Sequence, residues 1–286
     1  VGFTQVVGIE EFDGQPLLLL AGIGFAEVHH LDTGVSIPLT MRDPTEPPYS
    51  QSTDAGTTGR LDGRPIAVLA SVRKVLRIYD LATGEVLGQP VDINVEDEQR
   101  DSVDQPTAVA LLPVNGKPAA VVLSGHPNLG DRFAVDLWDL VDGSRLAELE
   151  PAATPAVTTT IVDGRPVVIT AGAEGVLRVW DAEEQRTLHT IVTGADRVRF
   201  LTAGVLHGRP VVLAASHDGP VTTYDLATGT ALDEFRLPDT CREICLGDRG
   251  MLVVGIQNDI AVIETEIQGV VLELSTASAP RRSGEK

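Results

Sequence analysis

Five times along the chain, a two-residue hairpin tip is followed by proline and then by an apolar run. The tips read Asp13-Gly14-Gln15-Pro16, Asp62-Gly63-Arg64-Pro65, Asn115-Gly116-Lys117-Pro118, Asp163-Gly164-Arg165-Pro166 and His207-Gly208-Arg209-Pro210. The runs that follow are 17–20, 66–70, 119–123, 167–170 and 211–215. Asn-Gly and Asp-Gly supply the positive φ angles of a tight hairpin, and a proline opening the next strand gives up an N–H where little is lost. A second element recurs behind the tips, an alternating strand ending in an aromatic and an acid, which His29-His30 replaces in the first unit: Val75-Leu76-Arg77-Ile78-Tyr79-Asp80, Val176-Leu177-Arg178-Val179-Trp180-Asp181 and Val221-Thr222-Thr223-Tyr224-Asp225. From hairpin glycine to acid the distance is 17 in three units, 63 to 80, 164 to 181 and 208 to 225. Equal spacing means equal geometry, so the chain is built from one repeated supersecondary unit.

Each unit accommodates four strands: one ending at the tip, one apolar, one alternating, and a fourth such as 187–192. The acidic positions fall at His30, Asp80, Asp139, Asp181, Asp225 and Glu264, spaced by 50, 59, 42, 44 and 39. A single four-stranded sheet buries little, whereas radial stacking of such sheets makes a continuous core. The expected fold is all-β, a propeller of six four-stranded antiparallel blades, with an incomplete seven-bladed ring as the alternative. One propeller domain is expected over 1–275, followed by a polar, disordered tail over 276–286. With a fourth strand near Val270 to Leu274 closing the last unit, the chain lacks a shared closing blade, and the ring is expected to close edge to edge.

Composition agrees. Hydrophobic residues make up 43% of the 286 residues but aromatics only 4%, and 18 prolines suit short strands and many turns. The net charge of −19 repels phosphate backbones and anionic lipid, so nucleic acid and membrane surfaces are not expected partners. No apolar run reaches the roughly 18 residues of a membrane span. The two cysteines, Cys241 and Cys245, are expected on one side of one strand, too far apart for a disulfide, as reduced core thiols. Six scattered histidines give no metal-ligand cluster, and no Gly-x-Ser-x-Gly, His-Glu-x-x-His or Walker pattern is present, so neither a cofactor nor an enzyme activity is expected. The strands next to the channel are expected to be plain Val, Ile, Leu and Ala.

The pairs Trp138-Asp139 and Trp180-Asp181, with Tyr79-Asp80 and Tyr224-Asp225 as variants, make the chain resemble WD-repeat propellers. With its Gly-Arg-Pro hairpins and the Asp-Leu-Ala-Thr-Gly endings at 80–84 and 225–229, it is similar to the actinobacterial type. The resemblance covers 1–275. It implies a non-catalytic scaffold or sensor and docking module, cytoplasmic and monomeric, forming the C-terminal region of a larger bacterial signalling protein. The implied partner is another protein or another domain of the same polypeptide. A small-ligand or carbohydrate-binding propeller is the alternative, and a propeller hydrolase or lyase stands behind both. The family's polar network is mostly missing: the Gly-His pair is absent, and the turn acid survives as Asp218, becomes Glu174, and is replaced by Arg73 in the second unit. Stability must then come from apolar packing.

Three irregular stretches, 41–60, 92–105 and 126–132, fall on connections that open on one face, opposite the hairpin tips, and in consecutive units. They are expected to form a lip over blades one to three. Long loops on a rigid scaffold are where binding concentrates. The candidate partner-binding residues on this face are Tyr49, Arg73, Lys74, Glu96, Asp97, Glu98, Arg132, Glu174 and Asp218. On the opposite face Arg64, Lys117, Arg165 and Arg209 occupy equivalent positions, read here as turn chemistry rather than an anion-binding crown.

Overall fold

A computed structural model describes residues 4–22, 25–39, 53–95, 104–125, 133–152, 156–172, 175–195, 197–237, 239–246, 251–256 and 259–264. The chain is a β-propeller of small antiparallel sheets in sequence order. Blades one to five, spanning 4–38, 53–92, 105–152, 157–192 and 200–236, have four strands each. The sixth, 241–264, has three among the described residues, not the four expected. Its expected fourth strand near Val270, and the 276–286 tail, lie outside the described residues. The innermost strands are Thr4–Phe12, Thr53–Leu61, Gln105–Val114, Val157–Val162, Phe200–Leu206 and Cys241–Leu246; consecutive members from the first to the sixth neighbour one another, and all six border one central cavity.

The hairpin tips form as their residues dictate. Asp62 and Gly63 sit at φ 50° and 79°, and Asp163 and Gly164 at 50° and 78°, both central residues being left-handed as a two-residue turn requires. His207 takes the same conformation at φ 50° without the Asn or Asp that favours it. The repeat's acid closes the next turn. Asp181 Oδ1 accepts from the N–H groups of Glu183 at 3.0 Å and Glu184 at 2.8 Å. Asp80, Asp139 and Asp225 cap their turns in the same way. The residue after each acid donates its N–H to the carbonyl of the hairpin proline, as Leu81 does to Pro65 and Ala182 to Pro166, both at 3.0 Å. The acid thus ties the third-strand turn beside the hairpin tip.

Apolar packing runs between blades. Tyr79, Trp138, Trp180 and Tyr224 each pack on the preceding blade: Trp180, for example, joins Leu123, Leu137 and Leu149 of blade three. In blade six Ile263 takes that place against Leu213 and Val221. Second strands in the middle of the ring are covered on both faces, so Val167, Val168 and Ile169 are all fully buried. Each large side chain buried in this way contributes about 1.5–3 kcal/mol. Glycine sets the closest approaches of innermost strands: a Cβ on Gly8 would overlap the Thr58 hydroxyl, and one on Gly204 would lie 3.0 Å from Leu246 Cδ2.

Among the described residues five apolar clusters join blades one to two through five to six, and none joins six to one. At that seam the second strands are covered on one face only. Leu17 and Leu19 of blade one are buried while Leu18 and Leu20 are half-exposed; Leu252 and Val254 of blade six are buried while Val253 and Gly255 are half-exposed. Where the other blades place an aromatic or Ile263, blade one has His29, whose Nδ1 lies 2.7 Å from Ser36 Oγ and whose Nε2 lies 3.4 Å from Glu27. Among the described residues the buried Trp180 Nε1, Thr170 Oγ1 and His189 Nε2 have no hydrogen-bond partner.

Candidate functional site

The hairpin-tip face is uniform. Two of its four basic side chains are engaged with the repeat's own acids: Lys117 Nζ lies 3.3 Å from Asp139 and 3.9 Å from Asp142, and Arg165 Nη1 lies 3.8 Å from Asp181. An acid that already caps a turn holds the base of its own hairpin, which leaves turn chemistry as the account of these cations.

The opposite face receives the long connections. Strand ends at Pro38 and Thr53, at Asp92 and Gln105, and at Gly125 and Phe133 bound them, all in blades one to three. The first irregular stretch is shorter than expected, because Thr53–Leu61 is the innermost strand of blade two, its glycines packed against Leu69 and Leu111. Tyr49, Glu96, Asp97, Glu98, Arg132 and Glu174 lie outside the described residues. Arg73 and Lys74 occupy the tight turn 72–74 of blade two, where Lys74 has φ 59°, donates its N–H to Ser71 O at 2.9 Å and accepts from Ile93 N at 2.8 Å. Asp218 lies in blade five and accepts from the Thr240 hydroxyl at 3.2 Å. The three described candidates therefore sit on two turns, Arg73 and Lys74 on one in blade two and Asp218 on another in blade five, and do not form one cluster.

The cavity of about 490 Å³ is the site the sequence did not reveal. Its walls are the first strands of the blades, whereas the plain apolar runs are the second strands, buried between blades. The expectation of an apolar channel is thereby corrected: the lining carries Thr57, Thr58, Thr107, Thr158 and Thr159 together with Arg199, Glu243 and Cys245. Some of these hydroxyls are engaged, Thr159 donating to Leu111 O and Thr107 to Leu123 O at 3.2 Å.

Glu243 and Cys245 reach the cavity because of a β-bulge. Cys241 pairs with Ile256 but Glu243 with Gly255, so the extra residue, Arg242, reverses the alternation that would have put both cysteines on one side. Cys241 is a core thiol, as expected; Cys245 is not, and faces the cavity. Solvent reaches Glu243, yet the surrounding walls strip much of the water from its carboxyl. That enclosure pushes its pKa up to about 7, opposed by the Ile244 N–H. Burial also pushes up the thiols of Cys241, to about 11, and Cys245, with the Glu243 charge adding to both. The sequence signal was a lone carboxylate in Cys-Arg-Glu-Ile-Cys, a strand that buries only Cys241 and Ile244; its direction depended on a bulge that no residue type announces.

Among the described residues no group of three or more His, Cys, Asp or Glu side chains is placed to hold a metal ion, and no helix is long and apolar enough to cross a membrane. No protein-family model matches the chain, and no curated protein matches it.

Proposed function

We propose that this propeller is of the WD-repeat type and serves as a non-catalytic docking module, working in the cytoplasm as part of a larger bacterial signalling protein. The observation that carries this is the difference between its faces. In blades one to five, every connection on the hairpin-tip face is a short repeated turn, while the long connections leave strand ends on the other face of blades one to three. The segment 92–101 is rich in Asp and Glu, which suits a partner, protein or neighbouring domain, with a basic contact surface.

The test is affinity capture from the source organism with three proteins: the unchanged chain, one with 96–103 replaced by a Gly-Ser segment of equal length, and an Arg209→Ala control on the hairpin-tip face. Loss of specific partners only in the second supports the proposal. Partners retained after the replacement, or lost in the control, would overturn it. The cavity supports a second function, small-ligand binding, because it encloses one acid and one base that do not pair with each other.

A further inference from the structure

The register between blades five and six brings two charges to one level of the cavity. Leu246 N–H donates to Thr202 Oγ1 at 2.9 Å, so the residues three positions earlier, Arg199 and Glu243, stand beside each other on neighbouring innermost strands. Both line the cavity, and they are its only charged lining residues among those described. They nevertheless turn apart. Leu201 and Ala203, on the same side of their strand as Arg199, pack toward blade four, whereas Ile244 packs toward blade five and leaves Glu243 on the side facing blade one. Among the described residues neither Arg199 nor Glu243 has an ion-pair partner.

An acid and a base that line one cavity at one level and do not pair with each other ask for a ligand carrying both charges. We infer that the cavity takes a small zwitterion, a neutral α-amino acid with an apolar side chain, its ammonium on Glu243 and its carboxylate on Arg199. The inference rests on the small-ligand function and is independent of the docking face. An amine alone would leave Arg199 unmatched in a confined site, and a carboxylate alone would leave Glu243 unmatched and meet the repulsion of a chain of net charge −19. A cavity of about 490 Å³ is of ordinary size for a small-molecule site. Val7, Leu111, Val157 and Val253 offer apolar wall to a side chain, and the lining also carries the hydroxyls of Thr58 and Thr158. The other titratable groups of this surround are Cys245 and Cys241 on the same strand and Glu10 on blade one, whose charge reaches Cys245.

The experiment is calorimetric titration of the full chain with three probes: L-leucine, isoamylamine, which lacks its carboxylate, and 4-methylpentanoate, which lacks its ammonium. The expected result is leucine binding at least about tenfold tighter than either half-molecule, each of which forfeits one charge-assisted contact. Leucine binding is expected to tighten from about pH 6 to about pH 8 as Glu243 ionises. Glu243→Gln, with an unchanged circular dichroism spectrum, is expected to weaken leucine about tenfold, remove that pH dependence and leave 4-methylpentanoate unaffected. Arg199→Gln is expected to weaken leucine and leave isoamylamine unaffected. If none of the probes binds saturably to the unchanged chain, both the small-ligand function and the zwitterion inference fall. If isoamylamine binds as tightly as leucine, the small-ligand function stands and the zwitterion inference falls. Leucine binding that neither substitution changes would also overturn it.

Discussion

Trp180 in blade four and His29 in blade one occupy the same place in the repeat, opposite Val168 and Leu18 in equivalent register, and they meet opposite circumstances. Trp180 is 5% exposed in a cluster shared with blade three, whereas the His29 side chain is 30% exposed and linked to Ser36 and Glu27. Where two blades close on each other, the repeat places an aromatic, and at Trp180 the indole N–H has no hydrogen-bond partner among the described residues. Where the described surface remains open to water, it places a side chain that hydrogen-bonds. The chain therefore distinguishes a sealed boundary from a wet one by a single position.

The largest expected effect is at the sealed boundary. Trp180→Ala should cost about 3–5 kcal/mol in urea denaturation, since it empties a site enclosed by two blades. A loss below about 1 kcal/mol would mean that the boundary is less tightly sealed than its burial implies. Next comes the turn that holds the tryptophan's strand end. Asp181→Ala removes two charge-assisted hydrogen bonds and the contact with Arg165, an expected loss of about 1.5–3 kcal/mol.

At the wet side of the ring, Glu243 should make stability fall with rising pH. Its folded pKa of about 7 exceeds the ordinary 4.5, so the folded state holds a proton that the unfolded state releases. The favourable contribution is complete below the unfolded value and is lost as pH rises through about 7. The melting temperature should thus drop between about pH 4.5 and about pH 7, and Glu243→Gln should flatten that slope. An unchanged slope in the variant would place the titration elsewhere. The smallest expected change is His29→Ala, under about 1 kcal/mol by the same urea measurement. A cost equal to that of Trp180→Ala would erase the difference between the two boundaries.

The hairpins and the four-stranded antiparallel blade were legible because their determinants are local. Positive φ at Asp-Gly and Asn-Gly, and a fixed distance to the acid, need no knowledge of neighbours. The cavity was not legible, for two reasons. A strand covered on both faces shows a continuous apolar run, and that run belonged to the second strands rather than to those bordering the channel. In addition, the side of the sheet to which Glu243 and Cys245 turn was decided by a bulge, which shifts alternation by one residue without a compositional signature. The face of the long connections could be read only as topology: six of the nine candidate residues on it lie outside those described, and Arg73, Lys74 and Asp218 belong to turns of blades two and five.

The backward reach of each aromatic also gives the ring an order of assembly. Tyr79, Trp138, Trp180 and Tyr224 all dock on a blade made earlier by the ribosome, so every new sheet meets its receiving surface already complete. Such a chain can build itself by accretion from the N-terminal side, each step burying the face left by the last, with no need to await a distant segment.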